Sequence, residues 1–179
     1  MRKVILEVAI TLDSYIEGPN GEYDWCLSDQ DYGLTEFLKR LDAIFIGRKT
    51  YEMVQKLAAE GAADFPKFTY YVFSTTLQDV KVGDVLIKEN IVQEVENIKN
   101  SPGKDIWLFG GASLTTSLMN EGLVDEISLA VHPLLLGGGK QLFSNITERV
   151  PLELIGSKTY TSGLVRLTYK VMKKQLPAT

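Results

Sequence analysis

Cysteine and histidine each occur once, as Cys26 and His132. A lone cysteine excludes an internal disulfide and is compatible with a reducing compartment. One His and one Cys, with no spaced carboxylate–His pair, leave too few ligands for a dedicated zinc site, so no metal is expected. A basic excess is also missing: Lys and Arg total 19 against 23 Asp and Glu, a net charge of −4. General nucleic-acid binding needs a basic surface, and that class is set aside. Long apolar runs are absent too. The longest charge-free one, Ile127 to Gly139, contains His132, Pro133 and three Gly, and is too short to span a bilayer. Met1-Arg2-Lys3 resembles the start of a signal peptide, but Glu7 and Asp13 break the apolar run behind it. The expectation is a cytoplasmic protein.

The 179 residues are 45% hydrophobic and 23% charged, which is ordinary globular usage. A chain of this length buries roughly 70% of its unfolded surface, enough for a proper core. No repeat, linker or low-complexity block divides it, so one domain over residues 1–174 is expected, with a tail over 175–179.

Strands and helices alternate through the first two-thirds. Val4 to Ile10 is apolar except for Glu7 and reads as a buried strand. Glu17-Gly18-Pro19-Asn20-Gly21 is a loop with defined bends. Ser28 or Asp29 is placed to cap a helix running to about Leu41. A strand at Ala43 to Ile46 precedes a helix at Thr50 to Ala59, stopped by Gly61. Strands follow at Tyr70 to Phe73, Val85 to Lys88, Asp105 to Phe109 and Glu126 to His132, with helices at Ile91 to Lys99 and Ala112 to Asn120. Leu152 to Thr159 and Val165 to Met172 flank a hairpin signal at Tyr160-Thr161-Ser162-Gly163. The order implies a mostly parallel sheet with helices on both faces, closed by an antiparallel hairpin.

Several motifs fail on spacing. Gly137-Gly138-Gly139-Lys140 is not a phosphate loop, because Leu134 and Gln141 stand where Gly and Ser or Thr are required. The dinucleotide GxGxxG ends on Leu142 instead of Gly, and Gly111-Ala112-Ser113 lacks the second Gly of a nucleophile elbow. Three strand-to-helix junctions remain. Gly47-Arg48-Lys49-Thr50 places two cations at a helix mouth, with Thr50 as candidate cap. Gly110-Gly111-Ala112-Ser113 exposes N–H groups at the positive end of a helix. Ser74-Thr75-Thr76 offers hydroxyls after a strand. Each alone is a weak anion site or a plain turn. All three fall at carboxyl ends of strands in one parallel sheet, the edge where such sheets bind ligands.

These residues, in this order, resemble the dihydrofolate-reductase fold, and within it the reductase domain at the C-terminus of bifunctional riboflavin-biosynthesis proteins. The matching segments are Ala9 to Ile16, Gly18 to Gly21 with Asp24-Trp25, Ile46 to Glu52, Ser74 to Thr76, Gly110 to Leu114, Val124 to Ile127 and Pro133 to Gly139. The resemblance implies a three-layer α/β/α fold, NADPH as cofactor, and hydride transfer to a small heterocyclic or ribosyl-pyrimidine-type substrate. A protein that holds NADP as a sensor or interaction module, without turnover, is the alternative. It implies that Gly47, Arg48, Lys49 and Thr50 line the cofactor, with Arg48 or Lys49 at the 2′-phosphate. Ser74 and Thr75 would lie near that phosphate or the adenine. Gly110, Gly111, Ala112, Ser113 and Leu114 would hold the pyrophosphate, and Ala9 and Ile16 would border the nicotinamide. Asp31 or Asp29 falls near the carboxylate that supports pterin protonation in dihydrofolate reductases, or is a solvated cap. Asp13 is a candidate for substrate binding. Trp25 borders the substrate pocket or belongs to the core. His132 is a structural hydrogen-bonding residue or a general acid. Ser14 stands where the family usually has Gly, so its loop is expected to sit differently. Relatives often dimerise, and the apolar C-terminal strands and Leu134 to Gly137 suggest a homodimer here.

Overall fold

The computed structural model describes residues 1–61 and 67–172, so the expected tail over 175–179 lies outside the described residues. The chain runs β1 (Val4–Thr11), β2 (Tyr15–Glu17), α1 (Leu34–Lys39), β3 (Leu41–Gly47), α2 (Arg48–Ala59), β4 (Thr69–Phe73), β5 (Val85–Ile87), α3 (Ile91–Asn100), β6 (Asp105–Gly110), α4 (Ala112–Asn120), β7 (Glu126–His132), β8 (Lys140–Gln141), β9 (Leu152–Thr159) and β10 (Val165–Val171). Eight strands form one sheet in the order β5-β4-β3-β6-β1-β7-β10-β9. Pairing is parallel from β5 through to β7 and antiparallel at β7–β10 and β10–β9. The expected architecture is present, with the hairpin at one edge.

Strand alternation sorts the core into two layers. Val4, Leu6 and Ile10 of β1 join Val95 and Ile98 of α3 and Leu114 and Leu118 of α4 on one face. Ile5 points the other way, to Phe37 of α1 and Tyr51 and Val54 of α2. β1 is the centre of this arrangement and its end delivers the chain to the ligand edge.

Three local expectations are corrected. The first helix does not run from Ser28 or Asp29 to Leu41; it is six residues long, and Leu41 already begins β3. Tyr32 (φ 49) and Gly33 (φ 85) are left-handed and stop any earlier helix. Asp31, rather than Ser28 or Asp29, ties the helix start: its carboxylate accepts from Gly33 N (3.0 Å), Thr35 N (3.0 Å) and Thr35 Oγ1 (2.7 Å). Thr50 does not cap α2, because the helix starts two residues earlier, at Arg48, behind Gly47. The β2–β8 ribbon escapes a periodicity search because its strands have three and two residues.

Ser14 sits in a turn at the end of β1. It holds φ 70, the left-handed geometry that favours Gly. Its amide closes a turn on the Thr11 carbonyl at 2.9 Å, and its carbonyl accepts from Leu142 N at 3.1 Å.

Candidate functional site

The three junctions meet in one cleft of about 570 Å³ on the carboxyl edge of the sheet. Gly47, Arg48, Lys49 and Thr50 come from the start of α2, Ser74 and Thr75 from the end of β4, and Gly111, Ala112, Ser113 and Leu114 from the start of α4. α2 begins at Gly47 and α4 at Gly111, and neither start has a side-chain cap. The first N–H groups of both helices are therefore left for a ligand, at the positive ends of two helix dipoles. The two starts lie close together: a Cβ on Gly111 would sit 3.3 Å from Thr50 Oγ1. Gly110 (φ 106) is joined to Gly111 by a cis peptide.

The cleft's lining is basic, with Lys140 paired to Glu17 at 3.1 Å just outside it. Arg48, Lys49, Lys88 and Lys140 line it, and no Asp or Glu is among its lining residues. Arg48 pairs with Glu52 one turn along at 3.1 Å, with both side chains well exposed. Such a pair is worth at most about 1 kcal/mol, so the guanidinium is readily drawn to a stronger anion. Ser74 Oγ is partly committed, accepting from Thr76 N (3.2 Å) and Leu77 N (2.9 Å). Nothing in the sequence marks Lys88 or Lys140 as a ligand-edge residue. Lys140 ends the rejected glycine run, and Lys88 follows a three-residue strand with no motif around it.

Three of the expected cofactor residues do not line this cleft. Gly110 is buried at the end of β6. Ile16 packs on the core. Ala9 lies in a second cavity of about 360 Å³, together with Glu7, Cys26, Asp31, Tyr32, Ala130 and His132.

Around this second cavity most polar groups are already committed. Asp31 has its three donors, and they hold its carboxyl below the usual range, Thr35 most strongly. His132 is buried; its Nε2 accepts from Leu27 N at 3.1 Å and its Nδ1 lies 3.0 Å from the Ala130 carbonyl. The tautomer with hydrogen on Nδ1 satisfies both contacts. Trp25 is half-buried and meets the His132 ring edge-on, with centroids 5.1 Å apart. Burial pushes the Cys26 thiol up to about 11, with Asp24 adding to it, as suits a small apolar residue. In the sequence Glu7 is only an interruption of the apolar run of β1. Burial raises its carboxyl above the usual range and Arg166 opposes that. Asp13 faces neither cavity's lining. Its carboxylate accepts from Thr11 Oγ1 (2.6 Å), Leu136 N (3.0 Å) and Gly137 N (2.8 Å), clamping the loop after β7 to the end of β1.

A parallel sheet with an antiparallel hairpin at one edge, and a ligand cleft across its carboxyl edge, defines the class. The structure superimposes on dihydrofolate reductase from Enterococcus faecalis with a TM-score of 0.68, at 17% identity, over 96% of this chain and 97% of that one. The fold is dihydrofolate-reductase-like. Residues 2–166 match the RibD C-terminal domain family. YyaP of Bacillus subtilis (strain 168) is 43% identical over 177 residues, 94% of each chain. A Shewanella sp. PV-4 protein whose name assigns it to riboflavin biosynthesis is 26% identical, with a TM-score of 0.81 over 96% of this chain and 99% of that one. The chain belongs to the RibD C-terminal domain family, a reductase-like domain. Among the described residues, no helix is long and apolar enough to cross a membrane.

Proposed function

We propose that this chain is an NADPH-dependent reductase and that the cation-lined cleft is its cofactor site. One observation carries this reading. A chain of net charge −4 lines one cleft with four Lys and Arg and two uncapped helix starts, and among the described residues no Asp or Glu lines it. That arrangement suits a ligand with several phosphates spread along it, and the cleft volume falls within the usual range for ligand sites, about 300–1,000 Å³.

In this reading Arg48 or Lys49 takes the 2′-phosphate, Arg48 with the advantage of a bidentate fork. Ser74 and Thr75 lie beside the same phosphate. The segment from Gly110 to Leu114 holds the pyrophosphate at the start of α4. Ala9 and Ile16 border the nicotinamide, with Ala9 opening onto the second cavity. When bound, NADPH supplies a hydride for a C=N or C=O bond of a small heterocycle. The chain's own contribution is alignment of the substrate and exclusion of water. Asp31 is an orienting acceptor in this scheme rather than a ready acid, and the proton comes from water.

Fluorescence titration with NADPH and NADH tests the assignment. NADPH should bind more tightly than NADH. Arg48→Ala should weaken NADPH by about 10-fold, the effect of losing ~1.5 kcal/mol of charge-assisted hydrogen bonding, and should leave NADH nearly unchanged. Equal NADPH affinity in the variant rejects the phosphate role. A second reading, in which NADP is held without turnover, is favoured by the second cavity, where Asp31 and His132 already have backbone and side-chain partners. NADPH that binds but is never consumed, across a panel of pterin and ribosyl-pyrimidine substrates, selects that reading.

A further inference from the structure

Lys140 enters the cleft from a different direction than its other cations. The strands whose carboxyl ends open on the cleft run β5, β4, β3, β6 across the sheet, and β1 lies next beyond β6. Lys88 follows β5 at the outer end of that row, and Arg48 and Lys49 follow β3. Lys140 is paired to β2, the strand that β1 leads into, so it stands at the opposite end of the row from Lys88. The start of α4, which follows β6, lies between the two ends.

The backbone that carries Lys140 is fixed on both sides. Towards β2 it pairs with Glu17, and two residues on Leu142 N donates to the Ser14 carbonyl at 3.1 Å. Towards α4, Thr116 Oγ1 donates to the Ser144 carbonyl at 2.8 Å and Asn120 Nδ2 to the Asn145 carbonyl at 3.2 Å. The segment is thus fastened to the helix whose uncapped start opens on the cleft. The side chain is held less firmly. Its Nζ donates to Glu17 Oε1 at 3.1 Å, with 46% and 36% of the two side chains exposed. Exposed pairs of this kind are weak, and Glu17 is not itself among the residues that line the cleft.

We infer that Lys140 is a direct contact for the cofactor's pyrophosphate, and that Glu17 competes for it in the free chain. The inference rests on the cofactor reading and deepens it, by giving the ribbon's ion pair a part in binding. A lysine is a compact point charge on a flexible stem, and here it faces a helix start whose N–H groups already favour an anion. A pyrophosphate at that start offers Lys140 more negative charge than one exposed carboxylate does. Binding therefore exchanges Glu17 for phosphate oxygen, and Glu17 sets how much of the Lys140 charge is available. NADPH and NADH share the pyrophosphate, so Lys140 and Glu17 act on affinity for both. The choice between the two dinucleotides stays with Arg48 or Lys49 at the 2′-phosphate.

Fluorescence titration of the full chain with NADPH and NADH tests this in three variants, Lys140→Gln, Lys140→Arg and Glu17→Gln. Lys140→Gln should weaken both dinucleotides by a similar factor, about 5-fold, as expected for one lost charge-assisted contact. Lys140→Arg should restore most of that loss. Glu17→Gln should tighten both by about 2-fold, because it removes a weak competitor. The opposite signs are the decisive readout. Both substitutions break the same ion pair, so a pair that only steadies the ribbon would weaken binding in both. That outcome overturns the inference. So does native affinity in Lys140→Gln, or a loss confined to NADPH, which would assign Lys140 to the 2′-phosphate. Thermal melts of each variant confirm that the fold is kept; where Lys140→Gln does not fold, the sign of the Glu17→Gln effect decides. Failure of the cofactor reading shows separately, as no binding of either dinucleotide to the native chain, and takes this inference with it.

Discussion

Asp13 illustrates how a residue's role depends on what the fold brings to it. In the sequence it is a polar residue in a motif near a ligand edge. In the structure two backbone amides more than 120 positions away, those of Leu136 and Gly137, end on its carboxylate. The Thr11 hydroxyl and these amides lower its carboxyl to about 2, from an ordinary 3.8. A carboxyl with a depressed folded value stabilises above its unfolded value and loses that contribution as pH falls through the folded one. Asp13→Ala should therefore lower the thermal midpoint at neutral pH, with the gap to the native chain closing between about pH 4 and pH 2. Thermal melts across that range check it; a gap independent of pH rejects the clamp. Gly47, Arg48, Lys49, Ser74, Thr75 and Gly111 were legible as ligand-edge residues because each adjoins a strand end in the sequence itself. Lys88, Lys140 and Glu7 were not, since a lone lysine or glutamate in or beside a strand carries no local mark of what it will face.

Elements were legible where they were long. Strand β7 and helix α4 match their sequence expectation end to end. Errors fell where a few residues decide the conformation: the loop before α1, the start of α2 and the β2–β8 ribbon. The ribbon depends on one position. Gly139 has φ 130, and a Cβ there would lie 2.1 Å from the Glu17 carbonyl oxygen. Gly139→Ala should pull β8 from β2 and destabilise the chain by roughly 2 kcal/mol or more, from backbone strain and the clash together. A lowered urea midpoint, with enhanced amide exchange at Tyr15 to Glu17, is the expected result. Because Lys140 reaches the cleft from this ribbon, the same variant should weaken NADPH if the cofactor reading holds.

At the scale of the whole molecule, the β9 edge is an exposed apolar surface. Leu152, Leu154 and Ile155 are 43%, 54% and 49% exposed on an eight-residue strand that, among the described residues, pairs on one side only, and Leu135 is 71% exposed. Open apolar edges of this kind invite a partner strand. A second copy of the chain is the expected partner, so light scattering should give about twice 20.0 kDa. Leu154→Asp should shift the population towards the monomer; a native chain that is monomeric at all concentrations rejects the dimer. Hydrophobic periodicity and glycine placement by themselves determined the alternating strands and helices, the parallel sheet and the three junctions at its carboxyl edge, because these follow from interactions between near neighbours. Only the tertiary structure decided how charge is sorted: cations around one cavity, carboxylates around another, in a chain whose total says only that it is acidic. Sheet order brings Lys88 and Lys140 to one side and Glu7, Asp31 and His132 to the other, and sheet order is set by contacts between residues far apart in the chain.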